Sequence, residues 1–252
     1  MSREDVRARF ARNAANYVTS AFHADSALLD EVVALAVPQP TDVVLDVATG
    51  TGNTAFALAP HVARVVGLDL TPEMLDQARR LAAERGVANV EWVVGDAQQL
   101  PFPDASFDLY TVRAAPHHFL DLDLALREAY RVLKPQGRAV FVDCSPPPAA
   151  REVLHQVEML RDPSHVRSYT LEEWKRRLRG AGFRVDLVRR RELDWDFEAW
   201  NLRIGVPAAR LAELAVPIET AGGRARAALR PERRAGKLWH AYWHAEIRAV
   251  KP

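Results

Sequence analysis

Two hydrophobic periods alternate along the chain. The short apolar runs Val43–Val47, Arg64–Leu70, Asn89–Val94, Ser106–Val112 and Arg138–Cys144 read as strands buried on both faces. Between them apolar residues return every three or four positions, as in Leu122, Leu126, Ala129, Tyr130 and Leu133, and these stretches read as amphipathic helices. Glycine and proline mark the joints. A short helix from Gly52 to Leu58 closes before Pro60, and a longer one opens at Thr71-Pro72 and stops at Gly86. Lys134-Pro135-Gln136-Gly137 ends the helix that begins near Leu122. Five strands alternating with helices predict an α/β fold with a doubly wound, mostly parallel sheet.

The flanks depart from this period. Val6 to Val37 reads as helix with one break, with Phe10, Ala14, Tyr17 and Val18 on one apolar face and Leu28, Leu29, Val32, Val33 and Leu35 on a second. Asp25 or Ser26 is the expected N-cap of the second helix. The aromatic-bearing turn between them, Tyr17 to His23, is placed either to fold over a ligand site or simply to pack. After the sheet, Ala149–Leu160 and Thr170–Gly180 read as helices, the latter opened by a capping box, Thr170 with Glu173. Phe183–Arg190 is the expected sixth strand and Leu238–Val250 the last, with a helical insertion over residues 197–231 between them.

Composition adds limits. At 252 residues, 48% hydrophobic and 27% charged, the chain is an ordinary globular protein, expected to be one domain. No apolar run approaches the roughly 20 residues that span a bilayer, and the first residues lack a signal-peptide core. Cys144 is the single cysteine, so no intrachain disulfide forms and a reducing, cytoplasmic setting is expected. It reads as a strand-end packing residue, and no metal site is expected. Net charge is +1, split between an acidic first part (13 Lys/Arg, 19 Asp/Glu up to residue 150) and a basic remainder (21 and 14). The later arginines are interleaved with acids, as on a solvated helix surface, and no aromatic–basic platform for nucleic acid is visible.

The chemistry gathers at the strand ends. Strand Val43–Val47 runs into Ala48-Thr49-Gly50-Thr51-Gly52 and then a helix, the opening of a nucleotide-binding βαβ unit. Asp46 puts a charge at the carboxyl end of that strand. Asp69 ends the second strand, where a carboxylate can accept hydrogen bonds from ribose hydroxyls. Asp96 ends the third, where an acid can meet the exocyclic amine of an adenine. The fourth delivers Arg113 and then His117-His118-Phe119 to the same rim.

Four blocks in order carry a family resemblance. Val44-Leu45-Asp46-Val47-Ala48-Thr49-Gly50-Thr51-Gly52 resembles the glycine motif of the class I S-adenosylmethionine-dependent methyltransferases. Val66 to Leu75, Gly95 to Asp108, and His117-His118-Phe119 with Ala125 to Gly137 are similar to the blocks that follow it there. The resemblance covers about residues 40–145 and leans toward the ubiquinone/menaquinone-type C-methyltransferases and related small-molecule enzymes. It implies a Rossmann-like, seven-stranded, mostly parallel sheet, with a core at 41–145, an N-terminal helical lid at 1–38 and the insertion as a substrate wall. It also implies S-adenosyl-L-methionine as cofactor, held by Asp46, Ala48, Thr49, Gly50 and Gly52, by Asp69 and Leu70, by Asp96 and Ala97, and beside Arg113.

Two positions depart from the family pattern. Ala48 stands for its first glycine, which suits a site if the backbone stays at negative φ, and Gln136 stands for the glycine before Gly137. A dehydrogenase also uses a glycine turn and an acidic strand tip, and Gly50-Thr51-Gly52-Asn53-Thr54-Ala55 nearly fits its spacing. Asp46 and the Gly95-Asp96 loop favour the methyltransferase. His118 and His117 are the candidate proton-handling groups, with loop capping or plain contact as the alternative. Tyr17, His23, Trp200 and Arg203 are the candidate substrate contacts, with packing as the alternative. The leading expectation is carbon or oxygen methylation of a small molecule by in-line displacement, by a monomer or homodimer. A protein or nucleic-acid methyltransferase and a non-catalytic cofactor-binding partner protein remain as other classes. The strand-four loop reads Arg113-Ala114-Ala115-Pro116, not the Asn/Asp-Pro-Pro-aromatic type used to methylate base amines.

Overall fold

The computed structural model describes residues 2–18 and 22–252; Thr19, Ser20 and Ala21, in the middle of the aromatic turn singled out above, lie outside the described residues. The elements are α1 (Arg3–Val18), α2 (Ser26–Ala36), β1 (Val43–Val47), α3 (Asn53–Leu58), β2 (Arg64–Asp69), α4 (Pro72–Arg85), β3 (Val90–Val94), β4 (Phe107–Arg113), α5 (Leu122–Val132), β5 (Leu133–Cys144), α6 (Pro148–Arg161), α7 (Leu171–Gly180), β6 (Arg184–Asp196), α8 (Phe197–Arg203), α9 (Leu211–Glu219), α10 (Gly223–Leu229), β7 (Glu232–Arg234) and β8 (Lys237–Val250).

The sheet runs β3-β2-β1-β4-β5-β8-β6. Strands β1 to β5 are parallel, as continuous apolar runs joined by helices require, while β8 is antiparallel to both β5 and β6. The order reverses at β1, which lies between β2 and β4, so the crevice for a ligand opens at the carboxyl ends of these strands. Helix starts follow local chemistry: Asp25 caps α2 by accepting from the Leu28 amide, and Thr170 with Glu173 forms the reciprocal box on α7. Thr71 precedes α4 without using its side chain; its own amide goes instead to Asp69.

Three expectations change. The sixth strand continues past Arg190 to Asp196, because β8 is long enough to pair with it as far back as Trp239. An eighth strand, the three-residue β7, folds as a hairpin onto β8, beside the expected seven. Ala48 does not keep a negative φ: it sits at +52°, as Gln136 sits at +64° in the turn after β5 begins. Both hold the left-handed conformation that glycine adopts without cost. Ala48→Gly is therefore expected to raise stability by up to about 1 kcal/mol, read as a higher urea midpoint.

One apolar core lies between the sheet and α5 and α7, and a second between the other face and α2 and α3. A third cluster joins α6, α8, α9 and α10 to the amino half of β8, and it walls one side of the site.

Candidate active site

The carboxyl ends of β1, β2, β3 and β4 surround a cleft of about 1040 Å³, counted out to its mouth. Its floor is the β1–α3 turn. Thr49 donates its amide to the Leu68 carbonyl at 3.0 Å, and Gly50 donates its amide to Asp69 Oδ2 at 2.8 Å. Asp69 Oδ1 accepts from the Thr71 amide at 2.9 Å, so one carboxylate ties the glycine turn to the start of α4. Burial raises the Asp69 pKa against these hydrogen bonds. A Cβ on Gly50 would meet nothing within 4 Å: that space belongs to the cleft. Leu70, Met74, Ala97 and Leu120 supply apolar wall, and Asp69 and Asp96 supply acceptors, which suits a nucleoside.

Two of the expected cofactor contacts do not reach the cleft. Asp46 is 1% exposed and faces inward, accepting from Thr49 Oγ1 at 2.6 Å and Thr111 Oγ1 at 2.7 Å. Burial pushes its pKa up to about 6. Asp46 fixes the turn and is absent from the lining of the cleft. Gly52 is absent from the lining too, and a Cβ there would come within 2.6 Å of Trp92. It is glycine because of that packing and its φ of +87°. Ala48, Thr49, Gly50, Asp69, Leu70, Asp96, Ala97 and Arg113 all line the cleft.

Helix α1 forms its other wall. Val6, Phe10 and Tyr17 face inward, and Arg3 Nε reaches Asp96 Oδ2 at 2.9 Å. The Asp96 Oδ1 accepts from the Gln98 amide at 2.8 Å. Arg113 crosses the back of the cleft, donating to the His23 carbonyl at 2.7 Å and to Thr54 Oγ1 at 3.1 Å. Burial lowers its pKa to about 10.

Behind Tyr17, His23, Ala114 and His118, which line both spaces, lies a second chamber of about 490 Å³, counted likewise out to its mouth. His117 opens only onto this one. Its Nδ1 is 2.5 Å from Oδ1 of Asp143, a residue 1% exposed at the end of β5. Burial alone would depress the His117 pKa, but the Asp143 carboxylate and the Cys144 thiol outweigh it and hold it well above the ordinary histidine range. His118 behaves oppositely. Its Nδ1 lies 2.9 Å from the Ser164 carbonyl, so Nδ1 carries the proton and Nε2 is the basic nitrogen. Burial, then the neighbouring His117, bring its pKa down to about 4. Two touching imidazoles, with ring centroids 4.1 Å apart, are thus pushed to opposite protonation states.

The far wall of the chamber is aromatic. Trp195 stacks on Tyr242 with centroids 5.0 Å apart and 15° between planes, and Phe22 meets the Trp195 edge at 5.0 Å. Trp200 borders the space but is 4% exposed and lies under the Arg161 guanidinium, 3.9 Å from the ring centroid. Arg203 lines the chamber. His117, Asp143 and Cys144 hold three metal-capable atoms within 4.8 Å of one another. The 2.5 Å between Nδ1 and Oδ1 is a hydrogen bond, shorter than the roughly 3 Å between two ligands of one tetrahedral ion, and no metal role follows. Cys144 Sγ pairs with Ser168 Oγ at 3.0 Å, and burial raises its pKa, so it is no nucleophile.

Asp143, Trp195 and Tyr242 were not anticipated. Asp143 stood at a strand's carboxyl end, the signal that exposed Asp69 and Asp96. Tyr242 and His244 belong to the face of β8 opposite Trp239, Ala241 and Trp243, which a period of two could have revealed.

A family model described as a methyltransferase domain matches residues 45–141. An uncharacterised methyltransferase of Bacillus subtilis, YcgJ, is 37% identical over 219 residues, 86% of this chain and 87% of the relative. The chain belongs to the class I S-adenosylmethionine-dependent methyltransferases. The crystal structure of YcgJ superposes with a TM-score of 0.84 at 34% identity, covering 88% of this chain and 97% of that one. A demethylmenaquinone methyltransferase of Thermus thermophilus is 43% identical over 129 residues, half of this methyltransferase and 58% of the relative. The sheet order is that of the class, with the small β7 hairpin added. The cleft residues suit S-adenosylmethionine: acceptors at Asp69 and Asp96, an apolar wall between them, and backbone approach at Gly50.

Proposed function

We propose that the enzyme methylates carbon or oxygen of a small molecule bound in the chamber behind His118. The observation that carries this is the pairing of a nucleoside-sized cleft with an adjoining aromatic chamber, joined at Tyr17, His23, Ala114 and His118. S-adenosylmethionine, when bound, supplies a methyl group already activated on a sulfonium, so the protein's task is to orient the acceptor and exclude water. Asp69 and the amides of the glycine turn would hold the ribose side, Asp96 and Ala97 the adenine. Helix α1, latched by Arg3 to Asp96, and the helices α8–α10 would close the two sides as lid and substrate wall.

The His117–Asp143 pair supports acid–base work. Asp143 fixes the Nδ1–H tautomer and directs Nε2 of His117 as the base, the arrangement in which a third group orients a proton acceptor. A hydroxyl losing its proton to Nε2 becomes a stronger nucleophile at oxygen or, in an aromatic ring, at the adjacent carbon. No helix among the described residues is long and apolar enough to cross a membrane. A chamber set behind the cofactor cleft favours a small acceptor over a protein or nucleic acid, whose reacting group would need an open groove.

The test is transfer from methyl-labelled S-adenosylmethionine into a cell extract split by ultrafiltration. Label is expected in the small-molecule fraction. Label confined to protein or nucleic acid would overturn the reading.

A further inference from the structure

Most charged groups around the chamber are matched. Arg161 donates to Glu158 Oε2 at 2.8 Å, to the Trp200 carbonyl and to Asn201, and Tyr242 donates to Glu158 Oε1 at 3.1 Å. Asp143 gives Oδ1 to His117 and leaves Oδ2 buried without a partner, and Asp162 accepts from the amide and hydroxyl of Ser164 and lies 3.7 Å from Arg9. Arg203 is the cation of the chamber that has no anionic partner. Among the described residues its guanidinium has neither a carboxylate nor a hydrogen-bond acceptor, and its Nε is buried without a partner. It rests against the Phe22 ring, 4.8 Å from the centroid, and 6.0 Å from that of Trp195. An arginine at the end of a helix ordinarily turns to water. This one is drawn under an aromatic edge, into the chamber, at a cost that an unpaired enclosed cation always carries.

We infer that Arg203 is the anchor for an oxyanion, a carboxylate or a phosphate, carried by the acceptor. The planar fork of a guanidinium matches either group through two parallel hydrogen bonds. The stacked Trp195 and Tyr242 beside it take a flat body. The remaining charge points the same way: while His117 is protonated, the His117–Asp143, Arg161–Glu158 and Arg9–Asp162 pairs are each neutral, so Arg203 is the excess positive charge, and the cofactor's sulfonium adds another at the cleft end. A cationic acceptor, such as a protonated amine, is repelled from this space. The inference rests on the chamber being the acceptor's site and names the acceptor's chemistry.

Four probes with a common phenyl body separate the possibilities: benzoate, phenyl phosphate, benzamide and benzylamine, each titrated by calorimetry or ligand-observed NMR into enzyme saturated with S-adenosylhomocysteine. Benzoate or phenyl phosphate is expected to bind about ten- to a hundredfold tighter than benzamide, with benzylamine weakest. Whichever anion leads distinguishes carboxylate from phosphate. Arg203→Gln is expected to erase the preference while affinity for S-adenosylhomocysteine stays unchanged, and Arg203→Lys to retain part of it. Without ligand, Arg203→Gln is expected to melt at a higher temperature than the parent. Equal binding of benzamide and both anions, a preference that survives Arg203→Gln, or no binding of either anion would each overturn the inference. Labelled methyl found only in macromolecules would instead overturn the small-molecule reading beneath it, whatever the probes do.

Discussion

Asp69→Ala is expected to lower affinity for S-adenosylhomocysteine by at least about a hundredfold. Hydrogen bonds to a charged group are worth about 1.5–3 kcal/mol each, and a ribose diol would lose two of them. The same carboxylate accepts from the Gly50 and Thr71 amides at 2.8 and 2.9 Å. Its removal strands two amide donors in a buried turn, at about 1–3 kcal/mol each. The turn then loses the shape that admits the cofactor backbone beside Gly50, so affinity and stability fall together. Asp69→Asn keeps one good acceptor and is expected to fall between. Calorimetric titration with S-adenosylhomocysteine, alongside thermal unfolding, reads both effects. An Asp69→Ala protein that binds normally would show that the ribose lies elsewhere.

His117→Ala is expected to reduce kcat by about 10²–10⁴ with affinity for S-adenosylhomocysteine intact, since His117 lines the chamber and not the cofactor cleft. The pH profile carries more information. As a base, His117 must be neutral, and Asp143 holds its pKa well above the usual histidine value despite burial. Activity therefore rises with pH to an inflection above about 6.5. In Asp143→Asn the supporting charge is gone, burial dominates, and the inflection moves to lower pH while kcat drops. Stability follows linkage with the opposite sense. A folded-state pKa above the unfolded one contributes stability that is fully present below about pH 6.5 and lost as pH rises through the folded value. The pair thus stabilises least where the enzyme is most active. His118→Ala is expected to slow turnover without reshaping the profile, because a group with a pKa of about 4 stays neutral throughout this range.

The cofactor half of the site was legible in the sequence because it is local. Each of its parts is a strand end and the few residues after it, and a period, a glycine and an acid suffice to mark them. The direction each side chain takes was less legible. Asp46 and Asp69 both end strands, yet the threonines beside and across from Asp46 turn it inward. Ala48 at φ +52° breaks a local rule because the turn is held by the Leu68 carbonyl at Thr49 and by Asp69 at Gly50. The chamber was legible only in part: Tyr17, His23, His117, His118, Trp200 and Arg203 are all sequence candidates that line it, while Asp143, Trp195 and Tyr242 are not among them. Phe22, His117, Asp143, Trp195, Arg203 and Tyr242 come from segments far apart in sequence; the β4–β5 pairing sets His117 against Asp143, and the antiparallel return of β8 between β5 and β6 brings Tyr242 and Trp195 to them. Arg203 and Trp200 show the difference: both were marked as candidate contacts, but Arg161 covers the tryptophan, and the arginine has no partner.

Two joined spaces, one for the cofactor and one for the acceptor, carry the proposed reaction. A crystal structure with S-adenosylhomocysteine tests this most directly. The two-space arrangement predicts the ribose hydroxyls on Asp69, the adenine between Leu70 and Ala97, and the sulfur at the junction lined by Ala114 and His118, facing His117. A sulfur pointing away from that junction, or the nucleoside lying in the chamber with Arg203, would contradict it.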